Sequence, residues 1–414
     1  MIDFKWHNPI PEARNQDLLI GISLLALTFT SMATGASSPA LASIGGAFPN
    51  APSPLLSMIA TLPLLVSVPA SLICGQIISK TGKYRIMAII GLCLMLFGGL
   101  APFTSNRFEK IIAWRALYGC GSGFIAPLAP ALTLTHFSGS RLSNQLSKNS
   151  AMSNIGGIIF QFIGGLLGSI GWRYCFLSYS LLIPSLVIIL ILLRDPPASA
   201  PSPLINPPVE QIKPVKGHKL FSVFFVSWSV FYFLYGVLIC PIITDTSAVI
   251  LQSGLGDSTS AGLALTVFTI GGFTGSFSFK YMVKRIYKQA MTLLAILGFA
   301  GSVLLIFAYN LPIYVAGAFI FGAGFGISLP AVVLFVGISV KESQKAVAAS
   351  ILLALYSSGN FFSPLLVSWI KTIYGITYIR FSYVLSAVCF AALIIRFIFL
   401  KTYAYEREIL CPKK

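Results

Sequence analysis

The fold is decided by a short stretch, GQIISKTGKYR at residues 75–85. It begins at the end of one long apolar run and ends at the start of the next. Its last six residues, 80–85, connect the two runs and carry three cations and no acid. About 200 residues later, Gly275, Lys280 and Arg285 repeat the spacing of the first glycine, first lysine and final arginine of this stretch. The repeat indicates a duplicated chain whose halves each place a basic connection after their second apolar run.

The composition excludes an ordinary soluble protein. Of the 414 residues, 56% are hydrophobic and 9% are charged, and the mean hydropathy is +0.86. A soluble domain carries about 25% charged residues, so this chain cannot cover itself with a polar surface. The formal charge of +17 is spread between apolar runs, which argues against a nucleic-acid partner. The seven cysteines lack metal-ligand spacing, and we expect no disulfide, metal or cofactor.

Twelve apolar runs are long enough to cross about 30 Å of hydrocarbon. They predict an all-α membrane protein with twelve transmembrane helices, at residues 18–43, 54–79, 86–104, 110–135, 149–170, 174–194, 220–243, 258–280, 289–309, 312–339, 346–370 and 379–400.

The charges of the connecting segments orient these helices. If the N-terminus is inside, most of the 28 Lys and Arg residues lie in cytoplasmic segments. The outside segments then hold Arg107, Lys110, Arg173, Lys371 and Arg380. This asymmetry obeys the positive-inside rule. It predicts a multi-pass protein of the cell membrane with both termini in the cytoplasm.

A polar interruption at residues 195–219 divides the predicted helices six and six. Its seven prolines forbid a regular helix and favour an extended linker. We therefore predict two six-helix bundles, residues 1–194 and residues 220–414, the second ending in a short cytoplasmic tail. The repeat of GSGF at 121–124 as GAGF at 322–325 supports the duplication.

These features resemble the major facilitator superfamily of secondary transporters, and the resemblance covers nearly the whole chain. The opening stretch is similar to the family's signature loop between its second and third helices. The fitting residues are Gly75, Lys80, Gly82, Lys83 and Arg85. Ser79 stands where the family usually has an aspartate that helps to hold the inward-closed arrangement. The resemblance implies a gating loop with an altered contact at Ser79.

Two further motifs support the resemblance. Residues 115–121, RALYGCG, resemble the family's fourth-helix Arg-x-x-x-Gly-x-Gly motif. Gly156, Gly164 and Gly165 resemble a fifth-helix motif associated with exporters, with Gln161 in place of its proline. The resemblance implies two bundles that rock about a site near the membrane midplane.

Arg115 is the sharpest candidate for substrate binding, coupling or gating. It lies inside a predicted span. A cation at membrane depth is expensive, and such residues are usually functional. The alternative is a structural arginine that bonds carbonyls of a neighbouring helix. The sequence leaves both interpretations open.

The acids matter through their positions. All eleven lie in connecting segments or at the ends of spans. Proton relays in transporters generally use titratable groups within the membrane. No standard carboxylate relay is therefore predicted. Asp17 and Asp245, at the ends of spans, remain candidates to carry a coupling proton, and the alternative is that both are ordinary solvated acids.

Neutral candidates recur at helical spacing and so share helix faces. They are Trp228, Tyr232 and Tyr235 in the seventh span, Tyr356 and Asn360 in the eleventh, and Asn154 and Gln161 in the fifth. Polar groups in hydrocarbon need partners, so we expect them to contact either a solute or a neighbouring helix.

The sequence thus predicts transport of a small organic solute by alternating access, and no catalytic constellation suggests an enzyme. Efflux of amphipathic compounds or metabolites is favoured by the exporter-like glycines and the aromatic stripe. The alternative is carriage of a small organic anion recognised by Arg115. A membrane receptor that does not transport is a more remote interpretation. A monomer in contact with membrane lipids is expected, with a proton or another ion considered as coupling partner.

Overall fold

The computed structural model describes residues 11–137, 139–195, 223–286, 290–339 and 345–399. Within these ranges every regular element is a helix. The α-helices are α1 (Pro11–Phe29), α2 (Leu41–Ala47), α3 (Ser53–Thr81), α4 (Tyr84–Leu100), α5 (Phe108–Ile125), α6 (Leu128–His136), α7 (Gly139–Ile170), α8 (Leu182–Leu192), α9 (Val223–Thr244), α10 (Thr246–Gln252), α11 (Ser258–Ile286), α12 (Ala290–Phe307), α13 (Leu311–Ser339), α14 (Lys345–Tyr374) and α15 (Phe381–Phe399). Segments of 3-10 helix span Ala33–Ala40, Ala101–Thr104 and Trp172–Leu181.

The described chain contains 10 helical segments that are long and apolar enough to cross a membrane. Two shorter apolar helices, Met291–Phe307 and Phe381–Arg396, occupy the positions of the predicted ninth and twelfth spans. The all-α membrane fold is confirmed, and these segments agree with the predicted twelve helices.

Several predicted spans are broken helices. The first consists of α1, the 3-10 segment Ala33–Ala40 and α2. Pro39 lies in that segment, and a proline cannot donate the backbone hydrogen bond that a continuing helix needs. The fourth span divides into α5 and α6 beside Pro127. Such breaks free backbone carbonyls inside the bundle for other donors.

The basic connection at residues 80–85 is shorter than predicted. α3 continues through Thr81 and α4 begins at Tyr84, so Gly82 and Lys83 alone lie between them. Gly82 has φ 63°, and its N–H donates to the carbonyl of Ile78 at 2.8 Å. A left-handed glycine is a common helix end, because it lacks the Cβ that this conformation would strain. The predicted loop is therefore mostly helix.

α7 begins at Gly139, ten residues before the predicted start of the fifth span. Its first turns are polar and lie outside the apolar window that defined the prediction. Gln145 donates to the side chain of Asn149 at 3.0 Å, and Asn149 donates to Thr133 of α6 at 2.9 Å. These bonds join the polar turns to α6.

The buried apolar side chains form two clusters. One lies within Leu24–Leu193 and the other within Phe225–Phe390. The predicted boundary at residues 195–219 falls between them, but residues 196–222 lie outside the described chain. We call the described residues up to 195 the N-terminal half and those from 223 the C-terminal half. The halves meet where α7 packs along α11 and α3 packs along α14.

One end of the helix bundle carries the connections at residues 48–52, 105–107, 253–257 and 375–380. We call it the distal end, and the loop charges predict that it faces outside. The opposite end carries residues 82–83.

Candidate functional site

Arg115 lies on α5 with no exposed surface. Its Nε donates to the carbonyl of Ile59 at 2.6 Å, its Nη1 to the hydroxyl of Tyr179 at 2.8 Å and its Nη2 to the carbonyl of Thr34 at 3.3 Å. The guanidinium thus joins α5 to α3 and to the 3-10 segments of the first and sixth spans.

The carbonyl of Ile59 needs a donor because Pro63 lies four residues later in α3. Proline has no N–H, so this carbonyl has lost its helical partner. Gly119 of α5 packs directly on the same proline, where an added Cβ would stand 2.8 Å from Cα of Pro63. The glycine lets α5 approach closely enough for Arg115 to supply the missing donor.

The rings of Tyr118 and Tyr179 also face Arg115, with their centres 4.6 Å and 5.4 Å from its Cζ. A cation within about 6 Å of an aromatic face is attracted by the ring quadrupole. All three guanidinium nitrogens therefore have protein partners, which favours the structural alternative. A role of Arg115 in substrate binding or coupling stays a prediction.

A second proline creates the same need in the C-terminal half. Pro241 lies in α9, four residues after Val237. The carbonyl of Val237 accepts a hydrogen bond from the hydroxyl of Ser363 on α14 at 2.7 Å. Here a neutral side chain replaces the lost backbone donor.

Gln161 joins the two halves. Its Oε1 accepts a hydrogen bond from Thr269 of α11 at 2.8 Å. Close by, a Cβ on Gly165 would stand 2.8 Å from Cα of Gly262 on α11. Gly164 packs on the carbonyl of Ala36. The exporter-like glycines thus allow α7 to touch both the first span and α11, and the glutamine bridges α7 and α11.

The aromatic stripe of α9 is buried in the C-terminal half. Trp228, Tyr232 and Tyr235 have 7%, 2% and 1% of their surface exposed. The rings of Tyr232 and Tyr235 are stacked with their centres 6.1 Å apart, and the ring centre of Tyr232 lies 5.2 Å from that of Tyr356 of α14. In this arrangement the stripe packs against neighbouring helices.

The amide candidates differ in how well they are satisfied. Asn154 donates to the carbonyl of Ser150 in its own helix at 2.8 Å. Asn360 donates to the carbonyl of Tyr356 at 2.9 Å, but within the described chain its buried Oδ1 accepts no hydrogen bond. A buried unpaired acceptor is costly, which keeps Asn360 a candidate for ligand contact.

The predicted gating residues lie at the end opposite the distal end. Gly75 is half-buried, and the exposed members are Ser79, Lys80, Gly82, Lys83 and Arg85. Ser79 donates to the carbonyl of Gln76 in its own helix at 2.9 Å.

Asp195 contacts Arg85, a contact that the sequence did not predict. Its carboxylate accepts the backbone N–H of Arg85 at 2.7 Å, beside the first residue of α4. The guanidinium of Arg85 donates to the carbonyl of Leu190 at 2.7 Å. An acid is favoured near a helix N-terminus. The available signal was an acid at the end of the sixth span on the same predicted side as Arg85.

The two proton candidates have different outcomes. The side chain of Asp17 lies outside the described residues. Asp245 follows the last residue of α9, and its carboxylate accepts hydrogen bonds from Thr244 at 2.8 Å and from Ser382 at 2.5 Å. Burial raises the pKa of Asp245, while the two hydroxyls and the charge of Lys371 oppose that rise.

A hydroxyl cluster beside Asp245 was also missed. Tyr314 donates to Thr246 at 3.0 Å, and its hydroxyl lies 2.7 Å from that of Tyr383. All three side chains are fully buried. The run TDTS at residues 244–247 was the only signal, and polar residues at the end of a span gave no reason to expect tyrosine partners.

Among the described residues no group of three or more His, Cys, Asp or Glu side chains is arranged to hold a metal. The polar features instead lie at helix junctions, at the bridge from Gln161 to Thr269 and around Asp245.

The family pattern described as Major Facilitator Superfamily matches residues 23–242 and 237–409. The chain belongs to the major facilitator superfamily. No curated protein matches it in sequence. The family comparison makes this protein a transporter of that type and points away from an enzyme.

Solved structures of similar fold are transporters as well. The nucleoside transporter NupG is 14% identical with a TM-score of 0.74, covering 93% of this chain and 99% of that chain. A bacterial homolog to the human lysosomal transporter Spinster, in an inward-facing and occupied conformation, is 15% identical with a TM-score of 0.66, covering 95% and 98%. At these identities the likeness shows the fold alone.

Proposed function

We propose that this major facilitator protein carries a small organic solute across the cell membrane by alternating access. The observation that supports this is a set of serine contacts between the halves at the distal end. Ser247 donates to the carbonyl of Pro39 at 2.6 Å and accepts from the N–H of Ala42 at 3.1 Å. The hydroxyls of Ser43 and Ser258 lie 3.0 Å apart.

These contacts suit a junction that opens and closes. A neutral hydrogen bond contributes only about 0.5–1.5 kcal/mol net. Exposing these groups to water at the distal end would replace each bond, so separation costs little. Rocking of the halves would then open the distal end while other contacts close the opposite end.

A cysteine pair at Ser43 and Ser258 tests the proposal. The short separation of the two hydroxyls is compatible with a disulfide after a small adjustment. We expect oxidation of the double variant Ser43→Cys with Ser258→Cys to stop solute flux in proteoliposomes, and reductant to restore it. Each single variant, which retains the native cysteines, is the matched control. Flux that continues unchanged in a fully cross-linked double variant would contradict alternating access at this end.

We further propose that the solute is amphipathic and is exported. The exporter-like glycines support the direction. Every nitrogen of Arg115 already has a protein partner. This supports a solute whose binding does not depend on a free cation inside the membrane. Proteoliposomes with a known orientation should extrude lipophilic drugs or metabolites. The solutes tested in this assay include nucleosides, the substrate class named for NupG. Uptake of a solute without its extrusion would overturn the export proposal.

The anion carrier remains the alternative, and Arg115 decides it. Anion transport would require Arg115 to leave at least one of its carbonyl partners. Lysine cannot replace the planar fork of a guanidinium at a carboxylate. Carboxylate flux that is lost in Arg115→Lys, with folding preserved, would favour the anion carrier, whereas drug flux that survives in this variant would favour efflux. A non-transporting receptor would bind solute without flux in any of these assays.

We propose Asp245 as the group that couples transport to a proton gradient, supported by its half-buried position and its raised pKa. Asp245→Asn should abolish flux driven by a pH gradient while leaving downhill exchange of solute. Gradient-driven flux in that variant equal to the wild type would exclude Asp245 and leave another ion or uniport.

The direction of export depends on the orientation, for which we propose cytoplasmic termini and an outside distal end. Lys110 is exposed at the distal end. Lys110→Cys should react with an impermeant maleimide added outside intact cells more than the protein with its seven native cysteines alone does. Reaction only after the membrane is permeabilised would reverse the orientation.

A further inference from the structure

A cavity of about 670 Å³ lies between the halves at the distal end. Its N-terminal wall includes Gly46 and Ser57, and its C-terminal wall is formed by α9, α10 and α14. The volume is in the range of about 300–1,000 Å³ typical of small-molecule sites. A Cβ added to Gly46 would meet nothing within 4 Å, so this glycine faces open space.

Two of the residues that line the cavity are charged, and they have opposite signs. Asp245 lies at the end of α9 and Lys371 near the end of α14. Within the described chain they form no direct ion pair. Each oxygen of Asp245 accepts one hydroxyl hydrogen bond, whereas a carboxylate can accept more. The half-buried ammonium of Lys371 has three donors and no hydrogen-bond partner among the described residues.

A ligand with one charge would leave this pair half satisfied. A cation would pair with Asp245 and leave Lys371 unpaired, and an anion would do the reverse. The facing wall contributes Ser53, Ser57 and Leu56 but no charge, which suits the short uncharged chain between two end groups. We propose that the distal cavity binds a small zwitterion, with its amine at Asp245 and its carboxylate at Lys371. This inference concerns binding and does not require that the zwitterion be transported.

Binding should depend on pH through Asp245. The groups that face its carboxylate are the ammonium of Lys371, the hydroxyls of Thr244, Ser382, Tyr314 and Tyr383, and the thiol of Cys240. Burial holds the pKa of Asp245 above its ordinary value, so the carboxylate loses its charge at a higher pH than it would in water. Affinity for the amine end should therefore fall as the pH drops through this pKa.

The test uses straight ω-amino acids from glycine to 6-aminohexanoate on the full chain in detergent. For each length, the n-alkylamine and the n-alkanoate serve as single-charge probes. A ligand that binds only the folded state raises the apparent Tm by an amount that grows with the logarithm of the ratio of its concentration to its Kd. We expect at least one ω-amino acid to raise Tm at a concentration where neither matched probe does. The apparent affinity should fall at least tenfold in Asp245→Asn and in Lys371→Gln.

Matched variants separate the cavity from general effects. Lys110→Gln removes a distal lysine that does not line the cavity and should keep the shift. Gly46→Leu should abolish the shift by filling the cavity, while Gly46→Ala should retain it. The proposal is overturned if no amino acid of any length shifts Tm. It is also overturned if an amine alone gives an equal shift, or if the shift survives both charge variants. Because transport is measured separately, none of these outcomes bears on alternating access.

Discussion

The two halves meet one structural need with different chemistry. In each, a proline leaves a helix carbonyl without its backbone donor, at Ile59 before Pro63 and at Val237 before Pro241. The N-terminal half supplies a guanidinium and the C-terminal half supplies the hydroxyl of Ser363. The arginine holds several partners at once, whereas the serine holds this one carbonyl.

The difference bears on which half is adjustable. The Arg115 junction contains no carboxyl group, because the guanidinium is held by two backbone carbonyls and a tyrosine hydroxyl. The distal part of the C-terminal half instead places neutral hydroxyls around Asp245, a group that titrates. We infer that the N-terminal junction is a fixed element and that the stability of the C-terminal distal region changes with pH.

The largest effect is expected for Arg115→Ala. The change leaves the carbonyl of Ile59 buried without this donor, and an unsatisfied group costs about 1–3 kcal/mol. It also removes the bonds to Tyr179 and Thr34, although the hydroxyl of Tyr179 still donates to Thr34. The apparent Tm should fall steeply, or the protein should fail to purify as a single species. Fluorescence-detected size exclusion with a heating step measures both.

A double-mutant cycle makes the Arg115 prediction specific. Pro63→Ala restores an N–H that can bond the carbonyl of Ile59. Arg115→Ala should therefore cost less in that background than in the wild type. Equal costs in the two backgrounds would show that the arginine does not serve the proline-freed carbonyl.

Asp245→Asn should change the pH dependence of stability. The folded-state pKa is raised, so the stability that this group contributes is present at low pH and is lost as pH rises through that pKa. The apparent Tm of the wild type, relative to the asparagine variant, should therefore fall as pH rises through that window. A pH-independent difference between the two proteins would contradict a raised pKa of Asp245.

Asp257 provides a control of opposite sign. Hydrogen bonds from the backbone N–H and hydroxyl of Ser260 lower the pKa of Asp257. Its contribution to stability is present above the ordinary pKa and is lost as pH falls through the lowered one. The apparent Tm of the wild type, relative to Asp257→Asn, should thus fall as pH falls through the acidic range.

Ser363→Ala should have a moderate effect because one carbonyl loses its partner. The loss is expected to be about 1–3 kcal/mol, the penalty for one unsatisfied buried acceptor. Pro241→Ala should reduce it by restoring a backbone donor for Val237. A destabilisation as large as that of Arg115→Ala would remove the distinction between the two junctions.

Much of the fold follows from sequence because membrane helices obey length and charge rules. A run of about 20 apolar residues must satisfy its backbone internally, and loop charges then suggest its direction. The extra turns of α7 were missed because they are polar. The connection after α3 was predicted too long because Lys80 and Thr81 at the end of α3, and Tyr84 and Arg85 at the start of α4, are polar enough to look like a loop.

The candidate residues were harder to interpret because a side chain's partners come from distant parts of the chain. Arg115 was found by its charge, but its carbonyl partners become visible only when α5 is packed against α3. The hydroxyl cluster around Tyr314 joins three helices through residues that are individually ordinary. Prolines offered a signal that was not used, since each one marks a carbonyl four residues earlier that needs a donor.

The smallest effect is expected for Gln161→Leu, which tests whether the junction between the halves depends on a single bond. The change removes the acceptor for Thr269 while keeping similar volume. Interhelical hydrogen bonds in membranes contribute about 0.6 kcal/mol on average, so the apparent Tm should fall only slightly. The close glycine contact at Gly165 should persist and preserve solute flux. Gly165→Leu is the matched contrast, because its side chain would collide with Gly262 and force α7 from α11. If Gln161→Leu were as damaging as Gly165→Leu, the halves would be joined by the amide rather than by helix packing.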